Sequence, residues 1–160
     1  MFILHRFLMT MRRMVVMIYY KIIFGKKVIF GKSFRMRGGM KLFIDEGQIT
    51  FGDNVFINNG FSASSTVGIS IGDDALIGEN VKIYDQNHVF DNRSQIIRKQ
   101  GFKAAKVRIG NNCWIASNVT ILAGVNIGDN VVIGANCLVY KNIPSNSVVK
   151  HSEVLIVSDR

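Results

Sequence analysis

Aliphatic side chains return every six residues along the second half of this chain, at Ile109, Ile115, Ile121, Ile127, Ile133 and Val139. Gly or Ala follows most of them (Gly110, Ala116, Gly128, Gly134). Four residues after each comes another small or apolar side chain: Cys113, Val119, Val125, Val131, Cys137, Ile143. An earlier block repeats the beat at Ile71, Ile77 and Ile83, with Ala75 and Val81 at the fourth offset. A looser block has Phe51, Ile57, Ala63 and Ile69, and leads the second by a two-residue slip from Ile69 to Ile71. Residues 28–44, "VIFGKSFRMRGGMKLFI", are a degenerate start.

A period of six is neither helical nor simply alternating. One short strand and one corner per hexad satisfy it, three hexads close a triangular coil, and coils stack by parallel pairing at roughly 4.8 Å. The aliphatic residue points inward, above its counterpart one coil away. Gly after it eases the turn. Asn and Asp (Asp53-Asn54, Asn111-Asn112, Asp129-Asn130) suit corners because they tolerate left-handed backbone. A long helix through these repeats is excluded, since each Gly would cost about 1 kcal/mol against Ala. The register puts Cys113 beside Val131 and Cys137 beside Val119. Both cysteines then read as small buried hydrophobes, neither a disulfide nor a metal pair.

A stack of coils has two open ends that need covers. Residues 1–24, "MFILHRFLMTMRRMVVMIYYKIIF", read as an amphipathic helix, with His5, Arg6, Arg12 and Arg13 one heptad apart in pairs. It caps the core or lies on a membrane surface. Its longest uncharged run, residues 14–20, is far short of the ~20 residues of a spanning helix. Residues 25–160 form the repeat domain, ending in a strand or lateral arm over 145–160. Charge follows the same division. Residues 1–44 hold ten Lys and Arg and no acid, while residues 45–160 hold ten against eleven Asp and Glu. Such a patch suits anionic lipid, a polyanionic substrate or nucleic acid, or is a solvated flank. Little aromatic interleaving supports nucleic acid, and none is expected as a partner.

The beat stops after His88. Residues 71–88 make a complete coil, and the next clean one begins at Ile109. Between them "VFDNRSQIIRKQGFKAAKVR" has no hexad signal. An insertion of this length in a compact domain is usually functional or disordered. Its aromatics and isoleucines (Phe90, Phe102, Ile96, Ile97) suggest an ordered arm, 89–106, able to reach a neighbouring copy. His88 stands at its root, at a corner place of the hexad. A neutral imidazole there can take a proton from a hydroxyl. Asn87, Tyr84, Asp85 and Asp91 are near enough in sequence to orient it or meet a substrate.

"IGNNCWIASNVTILAGVNIGDNVVIGANCLVYKNIP" and "IGDDALIGENVKIYDQNHVFD" resemble the hexapeptide-repeat acyltransferases. The closest branch is that of maltose/galactoside-type O-acetyltransferases and related capsule and exopolysaccharide O-acetyltransferases. The resemblance implies a left-handed parallel β-helix, a homotrimer, and acetyl-CoA in a cleft between adjacent subunits. It also implies His88 as general base on a sugar hydroxyl that attacks the thioester directly. Asn58 matches a polar substrate-side residue, though it equally suits a corner. Trp114 matches a tryptophan bordering the CoA cleft; the other hexads carry smaller residues at its place. Ser117 matches a position whose backbone N–H faces the oxyanion, and Ala135 and Lys141 match positions along the CoA groove. Where the family often has "GNPAK", this chain has "VVKHSEVLI", with Lys150 as a substitute cation. The short N-terminal region argues for a polysaccharide-type acceptor. A serine or amino-sugar acetyltransferase is the alternative within the fold, and a membrane-surface module the alternative outside it. A three-histidine zinc site is rejected, because only His88 lies in the repeats. The resemblance thus implies a cytoplasmic enzyme, peripheral to the membrane at most, that requires no metal.

Overall fold

The computed structural model describes residues 2–152, the side chains of residues 2–7 and 9 excepted. Sixteen short strands stack into three walls of parallel sheet, so the hexads close into coils as their period requires. Wall A joins Val28–Phe30, Ile49–Phe51, Ile69–Ile71, Val107–Ile109 and Asn126–Ile127. Wall B runs from Arg35–Met36 through Phe56–Ile57, Leu76–Ile77, Trp114–Ile115 and Val132–Ile133 to Val148–Val149. Wall C joins Met40–Ile44, Phe61–Ser65, Lys82–Tyr84, Thr120–Ile121 and Leu138–Val139. This is the triangular hexapeptide-repeat β-helix expected of the sequence.

The core is a set of ladders. Ile57, Ile77, Ile115 and Ile133 follow one another up wall B, and Ala63, Ile83, Ile121 and Val139 up wall C, all buried. Both cysteines are free and buried, and the strand register puts Cys113 beside Val131 and Cys137 beside Val119. Burial pushes the Cys113 thiol up from its ordinary pKa. In the native protein a disulfide-exchange reagent is therefore expected to react with Cys113 orders of magnitude more slowly than after unfolding, as thiol release followed by absorbance would show.

Corners use the side chains the sequence offered. Asn54, Asp74, Asn112, Asn130 and Asn146 at one edge, and Asn80, Asn118 and Asn136 at the next, all adopt positive φ. Their amides join successive coils, as from Asn112 Nδ2 to Asn130 Oδ1 (2.9 Å) and from Asn80 Nδ2 to Asn118 Oδ1 (3.2 Å). A second ladder hooks coil to coil: the Asp53 N–H donates to Asp73 (2.7 Å), Asp73 to Asn111 (2.8 Å), and Asn111 to Asp129 (2.6 Å).

The coils are not uniform. Inward residues of wall A are Phe30, Phe51, Ile71, Ile109, Ile127 and Ile143, giving coils of 21, 20, 38, 18 and 16 residues. The long coil contains the arm. The coil of 20 takes its two extra residues at the corner after Phe61–Ser65, which explains the slip from Ile69 to Ile71. The last coil is two residues short, so Ile143, not residue 145, pairs with Ile127.

Helix α1 (Phe2–Phe24) covers the first coil. Val16, Met17, Tyr20 and Phe24 pack on the core, the Tyr20 hydroxyl donates to the Met40 carbonyl, and Arg13 Nη1 donates to the Phe34 carbonyl at 3.3 Å. The side chains of His5 and Arg6, and residues 153–160 of the expected C-terminal arm, lie outside the described residues. Within that arm, Val148–Val149 adds a last strand to wall B.

Candidate functional site

The arm departs from wall C two residues before the hexad beat ends at His88. Lys82–Tyr84 is followed by Asp85, whose buried carboxylate accepts hydrogen bonds from Ser65 Oγ (3.0 Å) and the N–H groups of Thr66, Val67 and Gly68 (2.8, 2.9 and 2.6 Å). Gln86 then donates to Ser64 Oγ (3.2 Å) and meets the Thr66 hydroxyl. These contacts moor the root of an antiparallel ribbon, Gln86–His88 against Phe102–Ala104. Farther out, the Asn92 N–H donates to Gln100 Oε1 (3.0 Å), and Gln100 Nε2 donates to the Gln95 carbonyl (2.7 Å).

His88 is therefore not at a corner. It lies on the outgoing strand of the ribbon, in register with Phe102, because antiparallel pairing begins two residues before the hexad beat visibly fails. Its ring is exposed and sits 4.4 Å from the Phe102 ring, tilted by 39°. Among the described residues, no side chain hydrogen-bonds the imidazole. Asp85 does not orient it, since that carboxylate is occupied by the 65–68 turn. Asn87 faces the other side of the ribbon, opposite Lys103, and Asp91 is exposed farther along the arm. Tyr84 is half-buried on the outside of wall C, beside Ser64. Phe102 was read from the sequence only as an arm aromatic; its pairing with His88 had no local signal, since the two strands are separated by the whole arm.

The remaining candidates lie elsewhere. Asn58, Gly78, Ala116 and Gly134 each follow an inward isoleucine of wall B and stack at the B–C edge, with Ser117 and Ala135 one residue further on. Asn58 Oδ1 accepts from the Asn59 N–H (2.9 Å), as a corner asparagine does. The Ser117 N–H has no partner among the described residues. Trp114 projects from wall B three residues earlier, 53% exposed. The bulk of its column was not apparent from neighbouring hexads: Phe56 and Leu76 stack on one side of it and Val132 on the other. Lys141 lies at the C–A edge, the edge from which the arm departs, with its ammonium 5.4 Å from the Tyr140 ring. One chain thus carries His88 and Lys141 on one edge and Asn58, Ser117 and Ala135 on another, with wall C between. Among the described residues, no three His, Cys, Asp or Glu side chains gather as metal ligands would.

Close stacking at the B–C edge depends on Gly78. A Cβ there would lie 2.7 Å from the Ala116 carbonyl carbon and 2.7 Å from the Ser117 nitrogen, both backbone. Gly78→Ala is expected to cost about 1–3 kcal/mol of stability, measured by urea unfolding, and to displace the Ser117 N–H.

A profile of bacterial transferase hexapeptide repeats (six repeats) matches residues 106–141, and one of the succinyl-transferase hexapeptide repeat matches residues 48–85. A putative lipopolysaccharide biosynthesis O-acetyl transferase, WbbJ of Escherichia coli K12, is 35% identical over 128 residues, covering 75% of this chain and 65% of that protein. The galactoside O-acetyltransferase of the same organism is 40% identical over 106 residues, covering 62% of this chain and 51% of its own length. The chain thus spans under two thirds of each. Among solved structures, a hexapeptide-repeat acetyltransferase of Vibrio cholerae complexed with acetyl-CoA superposes with a TM-score of 0.64 at 27% identity, over 75% of this chain and 64% of that one. The matched repeats are the segments that build the three walls, and the chain belongs to the hexapeptide-repeat transferase family, where it is similar to proteins named galactoside and lipopolysaccharide O-acetyltransferases.

Proposed function

We propose that the protein is an acetyl-CoA-dependent O-acetyltransferase that acetylates a sugar hydroxyl, a unit of a bacterial surface polysaccharide. The observation that carries this reading is His88, whose imidazole is exposed, makes no hydrogen bond to another side chain among the described residues, and is held on a ribbon moored to wall C. One imidazole nitrogen accepts the proton of the sugar hydroxyl as its oxygen attacks the thioester carbonyl. The C–O bond forms, the C–S bond breaks, and the leaving thiolate takes the proton back from the imidazolium. The unpaired Ser117 N–H is suited to the oxyanion, and such a donor contributes about 3 kcal/mol. The B–C edge suits a long, thin co-substrate. Glycine and alanine keep it smooth, and Trp114 offers an apolar shelf beside it. Lys141 and Lys150, both exposed, are cations able to meet phosphate. Polysaccharide as acceptor class follows the lipopolysaccharide relative, and acetyl-CoA follows the ligand of the Vibrio structure.

His88 and Lys141 lie on one edge and Asn58, Ser117 and Ala135 on another, so the complete site is expected between copies, in a homotrimer. Release of CoA thiol together with acetylated product is the test, with saccharides, serine and amino sugars as acceptors. Turnover confined to serine or an amine would replace the sugar hydroxyl as target; no turnover with any acceptor would overturn the reading. Mixing His88→Ala with Ala135→Trp, each weak alone, is expected to restore activity. One interface of the mixed assembly joins an intact histidine to an intact groove.

A further inference from the structure

α1 covers the first coil with one face only. Arg13, Val16, Met17, Tyr20 and Phe24 turn toward the solenoid. On the opposite side Leu8, Met11, Val15, Ile18 and Ile22 repeat at spacings of three and four residues, with Tyr19 beside them. Every one of these is exposed, Ile22 at 77%. A helix that caps a soluble core ordinarily turns charge outward; this one turns out a continuous apolar stripe, of the kind that marks an interaction surface.

Charge decides what covers it. Arg12 and Lys21 flank the stripe, Lys26 follows the helix, and the ten cations of residues 1–44 have no acid among them. A second copy of α1 against the stripe would bring like charges together, with no carboxylate at flanking positions to pair them. An anionic surface with an apolar interior satisfies both features. No helix among the described residues is long and apolar enough to cross a membrane, which leaves a helix lying in the interface plane. We propose that α1 docks on an anionic phospholipid bilayer, its outward stripe at the acyl boundary and Arg12, Lys21 and Lys26 at lipid phosphates. This surface is distinct from the acetyl-transfer site and does not depend on that reading.

Flotation of the full chain with phosphatidylcholine vesicles, with and without phosphatidylglycerol, tests it. The protein is expected to float with phosphatidylglycerol vesicles, weakly or not at all with neutral ones, and to be released by salt. Removing a charge costs roughly fivefold in partitioning, so Arg12→Gln/Lys21→Gln/Lys26→Gln is expected to lose about a hundredfold. Ile18→Glu/Ile22→Glu is expected to abolish flotation with circular dichroism and solution mass unchanged, because both side chains face away from the core. No flotation with phosphatidylglycerol overturns the proposal. So does a fall in oligomer mass in the glutamate variant, which would assign the stripe to a second copy, or tighter binding to duplex DNA than to vesicles.

Discussion

His88→Ala is expected to lower acetyl transfer about 10²–10⁴-fold, the range of a lost general base, with the solenoid unchanged. The imidazole is exposed, sits on a paired ribbon strand, and makes no side-chain hydrogen bond that its removal would orphan. Thermal unfolding is therefore expected to move by no more than about 0.5 kcal/mol, as for surface positions generally. The loss should appear in kcat/KM and be recovered only slightly by His88→Gln, which can hydrogen-bond a hydroxyl but cannot take its proton at neutral pH. Phe102→Ala separates position from chemistry. It removes the ring 4.4 Å from the imidazole and is expected to reduce the rate by less than His88→Ala, because the base remains. Turnover of His88→Ala comparable to the native enzyme would take the proton transfer away from this residue.

Much of this was legible in the sequence, because a six-residue period has few physical solutions. The inward ladders, the positive-φ asparagines and the two buried cysteines follow from the beat. What it missed lies where contacts run across coils or where the beat gives way. Trp114 has its neighbours in other coils, Leu76 across the arm and Val132 one coil later, so adjacent hexads do not show which side chains stack beside it. His88 looked like a corner because periodicity cannot register a ribbon whose second strand returns only after the arm. The exposed stripe of α1 was visible as apolar residues, but which face the coil would take was not. The candidate site is the least legible part, since its residues sit on edges that one chain does not bring together.

Asp85 shows the same limit, and its substitution should have the largest effect on stability. The slip from Ile69 to Ile71 was plain in the sequence, but not its cause. The two extra residues form the 65–68 turn, and one buried carboxylate holds three successive backbone N–H groups of that turn together with the Ser65 hydroxyl. Alanine would leave these donors facing a small cavity. Buried donors left without partners cost about 1–3 kcal/mol each, but Val67 is exposed, and part of the turn can rehydrate after relaxing. Asp85→Ala is thus expected to cost about 3–5 kcal/mol and to lower Tm by roughly 10 °C in a domain of this size. Asp85→Asn keeps the volume but turns an NH2 toward N–H groups that need an acceptor, and is expected to cost nearly as much. A Tm for Asp85→Asn equal to that of the native protein would show that the turn needs shape and not four acceptor contacts. Because the ribbon carrying His88 starts at the next residue, these variants should also lose acetyl transfer below their melting temperature. His88→Ala should lose transfer without losing stability, and that contrast separates the residue that reacts from the one that holds it in place.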